Sequence, residues 1–432
     1  MSTPCREVAG RDEKIFSLLR ALVRINTEHA APAPGAPYGE GCARALEYAL
    51  GECERLGFAT HRLGEKIGWA EVGARGPLAA FPVHLDVVPA GDGWSHDPYA
   101  AEVIDGVLYG RGCMDNKIGA AILTVLLAEY AGRDLPCRLR IVFGTDEETG
   151  MSDLREYVGA GEELPSMGFV PDAAFPVVRG EKARLHLRIS CEVGVSGLLV
   201  RGGSMVNMVP AEAHATLPDG SELSCAGRSA HGSTPERGEN AINALVGQLV
   251  ARLGPGAGRL LEVERLLCAD LTGEALGIDA PDEVFGHTSM NLGTLSVEAG
   301  RLVAELDVRF GTALLAGDVI ARIRAALGSG WEVEVVQEKP IHLVSEDDPC
   351  VQALLDAYER VSGEKGTCSV MAGGTYASFM PALVAFGPKL PGTHSGAHGV
   401  DEHVRLEDVS RAADIYHEAV RNIIELAASL ED

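Results

Sequence analysis

Four short apolar runs constrain this chain's fold more than any other feature: FPVHL (81–85), RLRIVF (138–143), MGFV (167–170) and LVAF (383–386). Each is bounded by Gly, Pro or Asp and reads as a strand buried on both faces, which requires helices above and below the sheet. The sequence supplies them. Asp12 to Arg24 and Glu40 to Leu56 carry helical periodicity, with Gly57 as a stop signal. Lys117 to Tyr130 (KIGAAILTVLLAEY) is a strongly apolar helix between two of the strands. This β–α–β alternation predicts a doubly wound α/β domain with a mixed sheet.

From about Glu181 the pattern changes. RLHLRISCEV, the paired runs NLGTLSV and RLVAELDVRF around the turn EAG, and WEVEVV read as a more antiparallel sheet. Helices over Asn240 to Leu253 and Val319 to Leu327 accompany it, which predicts an α+β insert. Near Asp348 the helix–strand alternation resumes. The expectation is a catalytic α/β domain over 1–180 and 346–432, interrupted by an insert over 181–345. A chain of 432 residues is too long for one ordinary core, so two domains are the default in any case.

Charge and composition exclude some classes of partner. A net charge of −25 argues against nucleic acid and anionic membranes, which need Lys/Arg patches. No apolar run reaches the roughly 18 residues of a membrane span. The N-terminal MSTPCREVAGRDEKIFSLLR lacks the apolar core of a signal peptide, and ten cysteines without a CxxC pair fit a reducing compartment. A cytoplasmic address is expected.

Polar residues gather where the strands end, which is where open α/β sheets bind ligands. FPVHLD puts His84 and Asp86 at one end, and GTDEETG puts Asp146, Glu147 and Glu148 at another. GFVPDAAF puts Asp172 at a third, YGRGCMDNK puts Asp115 just before the apolar helix, and AHGVDEH supplies His398, Asp401, Glu402 and His403. Taken singly, each has a bland reading. Asp115 reads as a helix cap, Asp172 as a turn residue, and DEE as a solvated loop. Together, carboxylates and imidazoles at one sheet edge repel unless a cation joins them, and this donor mixture suits zinc.

HLDVVPAGDGW, YGRGCMDNK, GTDEETG, FVPDAAFPVVRGEKA, AGGTYA and AHGVDE resemble, in order, the motifs of the di-zinc aminoacylase and carboxypeptidase G-type metallopeptidases, metallopeptidase family twenty. FPVVRGEKA, NMVPAEA, SAHGSTP and GGTYA resemble its bacterial Xaa-His dipeptidase and carnosinase-like branch. The resemblance implies two divalent ions, Zn²⁺ first with Mn²⁺ or Co²⁺ as alternatives, bridged by Asp115. His84 and Asp172 would complete one ion's set, Glu148 and His398 the other's. Asp86 would orient His84, Glu147 would be the general base, and Asp146 structural. In the insert, read as a ferredoxin-like lid, His231 would stabilise the oxyanion, while Asn207 and Arg309 would contact the substrate, Arg309 near its carboxylate. Without the resemblance, Asn207 reads as a turn residue, His231 as a helix-entry residue and Arg309 as a paired strand residue.

The family pattern of two aspartates then Lys-Gly is here Asp115, Asn116, Lys117 and Ile118, which keeps the bridging position and changes its surroundings. The expected activity is metal-dependent hydrolysis of dipeptides with a free C-terminus. A deacylase or desuccinylase of N-acyl amino acids is the alternative, and a non-catalytic binding relative a third. The insert looks longer than in dimeric relatives, and the resemblance to the dipeptidase branch implies a monomer over a dimer.

Overall fold

The computed structural model describes residues 4–430, with side-chain surroundings from residue 10 onward. It divides into two compact units. The first takes in the chain as far as Gly180, then Leu343–Ser369, and again from Thr375; the second is Glu181–His342 with Val370–Gly374.

The first unit is built on a mixed sheet. Its strands run in the order Ala59–Leu63, Ile67–Val72, Arg138–Gly144, Leu78–His84, Met167–Val170, Val384–Ala385 and Val177–Glu181. The central neighbours are parallel and the flanking ones antiparallel. Every residue of Leu78–His84 and Met167–Val170 is buried, as strands covered on both faces require. Helix Lys117–Leu127, continued by a 3₁₀ turn at Ala128–Tyr130, buries nearly all its side chains between the sheet and helices Pro4–Val23 and Leu406–Ser429. Phe81, Phe143, Phe169 and Phe386 are each fully buried, contributing about 1.5–3 kcal/mol apiece. Register places the polar residues. His84 pairs directly with Gly144, so Leu85-Asp86 and Thr145–Glu148 leave the sheet side by side, while Val170 runs into Pro171-Asp172 on the next strand.

The second unit is the α+β arrangement expected of the insert. Seven antiparallel strands run in the order Glu222–Ala226, Glu212–Thr216, Leu199–Gly202, Ser289–Glu298, Arg301–Phe310, Ala183–Glu192 and Glu332–Lys339. Helices Ala241–Leu253, Leu260–Leu267 and Ala316–Leu327 share its apolar core, and Asn240 caps the first by accepting from Ile242 and Asn243 N–H. Strand Ala183–Glu192 alternates buried and partly exposed positions over most of its length. Its register sets Arg184 opposite Arg309, with Asp307 two residues along the same face.

The nine cysteines from Cys42 to Cys368 are free thiols. Among the described residues no helix is long and apolar enough to cross a membrane.

Candidate active site

All six residues expected to hold ions or move protons lie in the first unit, at the carboxyl ends of its parallel strands and on the loops beside them. His84, Asp115 and Asp172 each offer one ligand atom, and the three atoms lie within 4.8 Å of one another; Asp115, Glu148 and His398 form a second such set. Asp115 divides between them: Oδ1 is 3.0 Å from His84 Nε2 and Oδ2 is 3.0 Å from His398 Nε2. Asp172 Oδ2 stands 3.7 Å from His84 Nε2, and Glu148 Oε1 stands 3.2 Å from His398 Nε2. A tetrahedral zinc at about 2.0–2.1 Å from nitrogen and oxygen ligands sets them roughly 3.3 Å apart. The four histidine-to-carboxylate spacings, 3.0–3.7 Å, suit that requirement, and every ligand atom of each set lies within 4.8 Å of the others. Glu148 Oε1 is also buried without a well-formed hydrogen bond, His398 Nε2 being its near neighbour, a cost expected of an oxygen shaped for a cation.

The electrostatics ask for the same thing. Burial disfavours a charged His84, yet Asp115, Asp172 and Asp86 outweigh it and raise its pKa well above the usual imidazole value. His398 is pushed up to about 11, again against burial, by Asp115 and Glu148. Burial lifts Glu147 well above the usual glutamate value, with repulsion from Asp172 adding to it. Burial and the Asp115 charge bring Glu148 up to about 6. Asp115 moves the other way, lowered against burial by hydrogen bonds from His398 and His84. Carboxylates this close draw positive charge onto whatever neighbours them.

Asp86 does more, and does it differently, than expected. The oxygen that meets His84 Nδ1 at 3.0 Å is the Asp86 peptide oxygen, while the carboxylate is 3.6 Å from the same nitrogen. That peptide contact turns Nε2 toward Asp115 and Asp172. The carboxylate instead accepts the N–H of Glu147 at 3.2 Å and of Glu148 at 3.0 Å. The two neighbouring acids are therefore fixed through their backbone, not through their charged ends.

Several residues around the site show their contacts only in the fold. Asp153 gathers the N–H groups of Thr145 (2.6 Å), Asp146 (3.0 Å) and Leu154 (2.6 Å) and the Tyr376 hydroxyl (2.5 Å). His29 meets Thr145 O at 2.9 Å and stacks on Tyr38. Asp146 closes the turn by accepting Ser152 N–H at 2.8 Å. Asn116 donates from Nδ2 to Pro171 O at 2.5 Å, tying the Asp115 loop to the residue before Asp172. An aspartate has no hydrogen to give there. The Asp115–Asn116 peptide is cis.

The three insert residues lie in the second unit and come together there. Gly232 N–H donates to Asn207 O at 2.6 Å, and Met208 bridges to His231. Asn291, buried, holds the Asn207 loop from beneath through Val206 O and Met208 O. Ser233 holds the His231 ring at Nδ1, with its Oγ at 2.6 Å and its N–H at 3.3 Å. Arg309 is 4% exposed and its bidentate face is taken: Nε and Nη2 meet Asp307 at 3.1 and 2.8 Å, and Nη1 donates to Ala372 O at 2.7 Å. The fork expected to be free for a carboxylate is thus already engaged within the second unit.

The chain is 31% identical to YtjP of Bacillus subtilis strain 168, named as a candidate dipeptidase, over 96% of this chain and 98% of that protein. Its structure is similar to human carnosine dipeptidase 1, at TM-score 0.64 and 15% identity over 97% and 98% of the two chains. It is also similar to Bacillus subtilis YXEP, described as a dinuclear metal binding peptidase, at TM-score 0.56 and 14% identity over 96% and 99%. The model of peptidase family M20/M25/M40 matches residues 80–422. With that match spanning the strands, loops and helices that build the cluster, the chain belongs to peptidase family M20/M25/M40.

Proposed function

We propose that this peptidase hydrolyses dipeptides with a free C-terminus, using two divalent ions. The observation that carries the reading is Asp115, whose two oxygens each face a separate histidine–carboxylate set. Its family relationship to YXEP, a dinuclear metal binding peptidase, supports two ions, and the dipeptidase names of YtjP and the human carnosine enzyme support the substrate class. His84, Asp115 and Asp172 would hold one ion, and Asp115, Glu148 and His398 the other. Ions bound there, zinc in the first instance, polarise a carbonyl and acidify the attacking water.

The chain's own residues do the rest. Glu147, fixed through its backbone by Asp86, is the residue that carries the proton. It takes one from the attacking water and delivers it to the leaving amine nitrogen. His231 donates Nε2–H to the developing oxyanion. Asn207 and Arg309 contact the substrate, with Asp307 fixing the Arg309 guanidinium and its positive charge serving the C-terminal carboxylate.

The test is a panel of dipeptides, their C-terminal amides and N-acyl amino acids, assayed with added Zn²⁺ or Mn²⁺. A charge-assisted contact contributes about 1.5–3 kcal/mol, so amides should be cleaved roughly 10–100-fold less well than free dipeptides. Equal kcat/KM for both overturns the role of Arg309. Cleavage of N-acyl amino acids with dipeptides untouched moves the assignment to a deacylase.

A further inference from the structure

Glu402 has no part in the roles above, yet it is fully buried and completely engaged. Its Oε1 accepts the N–H of Met114 at 2.9 Å and of Asp115 at 3.1 Å. Its Oε2 accepts Gly112 N–H at 3.0 Å and Arg111 Nη1 at 2.7 Å. Arg111, 1% exposed, donates from Nη2 to Gly399 O at 2.8 Å and to Pro89 O at 3.4 Å, and lies over the Trp94 ring. One ion pair thus joins two loops. The peptide N–H of Asp115 and the peptide oxygen of the residue after His398 both end on it.

A buried ion pair is a poor source of net stability, because desolvation offsets most of the attraction. It does fix geometry, and this segment needs fixing. His398 and Asp401 have φ of 62° and 54°, left-handed values that are costly for a non-glycine residue. A loop released from its anchors would relax out of them and carry the His398 imidazole away from Asp115.

We propose that Glu402, acting through Arg111, is the positioning residue that sets the separation of Asp115 and His398 and so preforms one of the two ion sets. This rests on the two-ion reading. The set His84–Asp115–Asp172 shares Asp115 but has no residue on the 398–402 loop, so the effect of breaking the pair is unequal. Glu402→Gln keeps the shape, but replaces one acceptor oxygen with an amide that faces two N–H donors.

The experiment titrates Co²⁺ into the metal-stripped full chain by calorimetry and follows the visible absorption of the bound cobalt, with kcat and KM for a dipeptide measured alongside. Wild type should take up two equivalents. In Glu402→Gln one equivalent should bind roughly 10–100-fold more weakly while the other stays within about threefold, the usual scale for losing a ligand's supporting partner. The cobalt bands should change shape, and kcat should fall with KM nearly unchanged. Arg111→Lys keeps the charge but loses the bond to Gly399, and should weaken the same equivalent by a smaller factor; it decides the matter alone if Glu402→Gln does not fold. Unchanged affinities and bands with only a lower Tm overturn the proposal, as does equal weakening of both equivalents. A wild type that takes up no Co²⁺ removes the two-ion reading itself, and this proposal with it, before any variant is compared.

Discussion

At the scale of single residues, Glu147 and Glu148 are adjacent in sequence and opposite in assignment. Asp86 holds both backbones, so either side chain can be changed without releasing the other. Glu147→Gln removes the proton carrier and leaves every ligand, so metal content should persist while turnover falls by about 10²–10⁴. Glu148→Ala removes a ligand and should lower occupancy of one ion. Metal analysis beside steady-state kinetics checks both, and equal metal loss with full turnover in Glu147→Gln reverses the assignments. The side chains of this cluster were legible in the sequence because charge at the end of an apolar strand is anomalous by itself. The carboxylate of Asp153 was not, and Glu402 and Asn116 stood out in the sequence without their contacts. Their work is accepting or giving hydrogen bonds to peptide groups several residues away, and only the folded loop says which. Asp86 was legible as a member of the site but not in its contacts, for the same reason.

At the scale of elements, the turn after strand Arg138–Gly144 depends on a glycine for space rather than for backbone freedom. A Cβ added at Gly144 would collide with the Tyr376 hydroxyl and crowd the Asp153 carboxylate at 2.5 Å. Both hold the loop that carries Glu147 and Glu148. Gly144→Ala should therefore cost stability in the range of about 1–3 kcal/mol for overpacking, with loss of activity, as read by urea unfolding and a dipeptide assay. A fully active, equally stable variant would show that the loop does not depend on that contact. In the second unit, strand register brings Arg184 and Arg309 to Asp307, whose pKa is lowered against burial by the two guanidinium charges. A lowered carboxylate contributes stability that is present above its unfolded pKa near 3.8 and lost as pH falls through the folded value. Stability should fall as pH drops below about 5 and continue falling below 3.8, and Asp307→Asn, though less stable throughout, should show a shallower slope there. An identical slope contradicts the pairing. The long strands and helices of this unit followed from periodicity, whereas the short strand Leu199–Gly202 and helix Leu260–Leu267 did not, being too brief to show a period.

At the scale of the whole molecule, the sequence shows a change from α/β to antiparallel texture at about Glu181, and the compact units divide between Gly180 and Glu181. The return at Leu343 falls a few residues before the resumption read from the sequence. The excursion Val370–Gly374 has no compositional mark, because five residues of AGG-type loop carry no periodicity. Its placement follows from contacts: Lys182 N–H donates to Met371 O, Arg309 to Ala372 O, and Lys339 lies against Gly373. The central claim reaches across all three scales: His84, Asp115, Glu148, Asp172 and His398 converge in order to hold two ions. Elemental analysis of active, exhaustively dialysed protein, with activity followed through EDTA treatment and metal restoration, tests it most directly. The account predicts two divalent ions per chain, loss of activity with chelator, and recovery on adding Zn²⁺, Mn²⁺ or Co²⁺. Full activity with no bound metal and indifference to EDTA would contradict it.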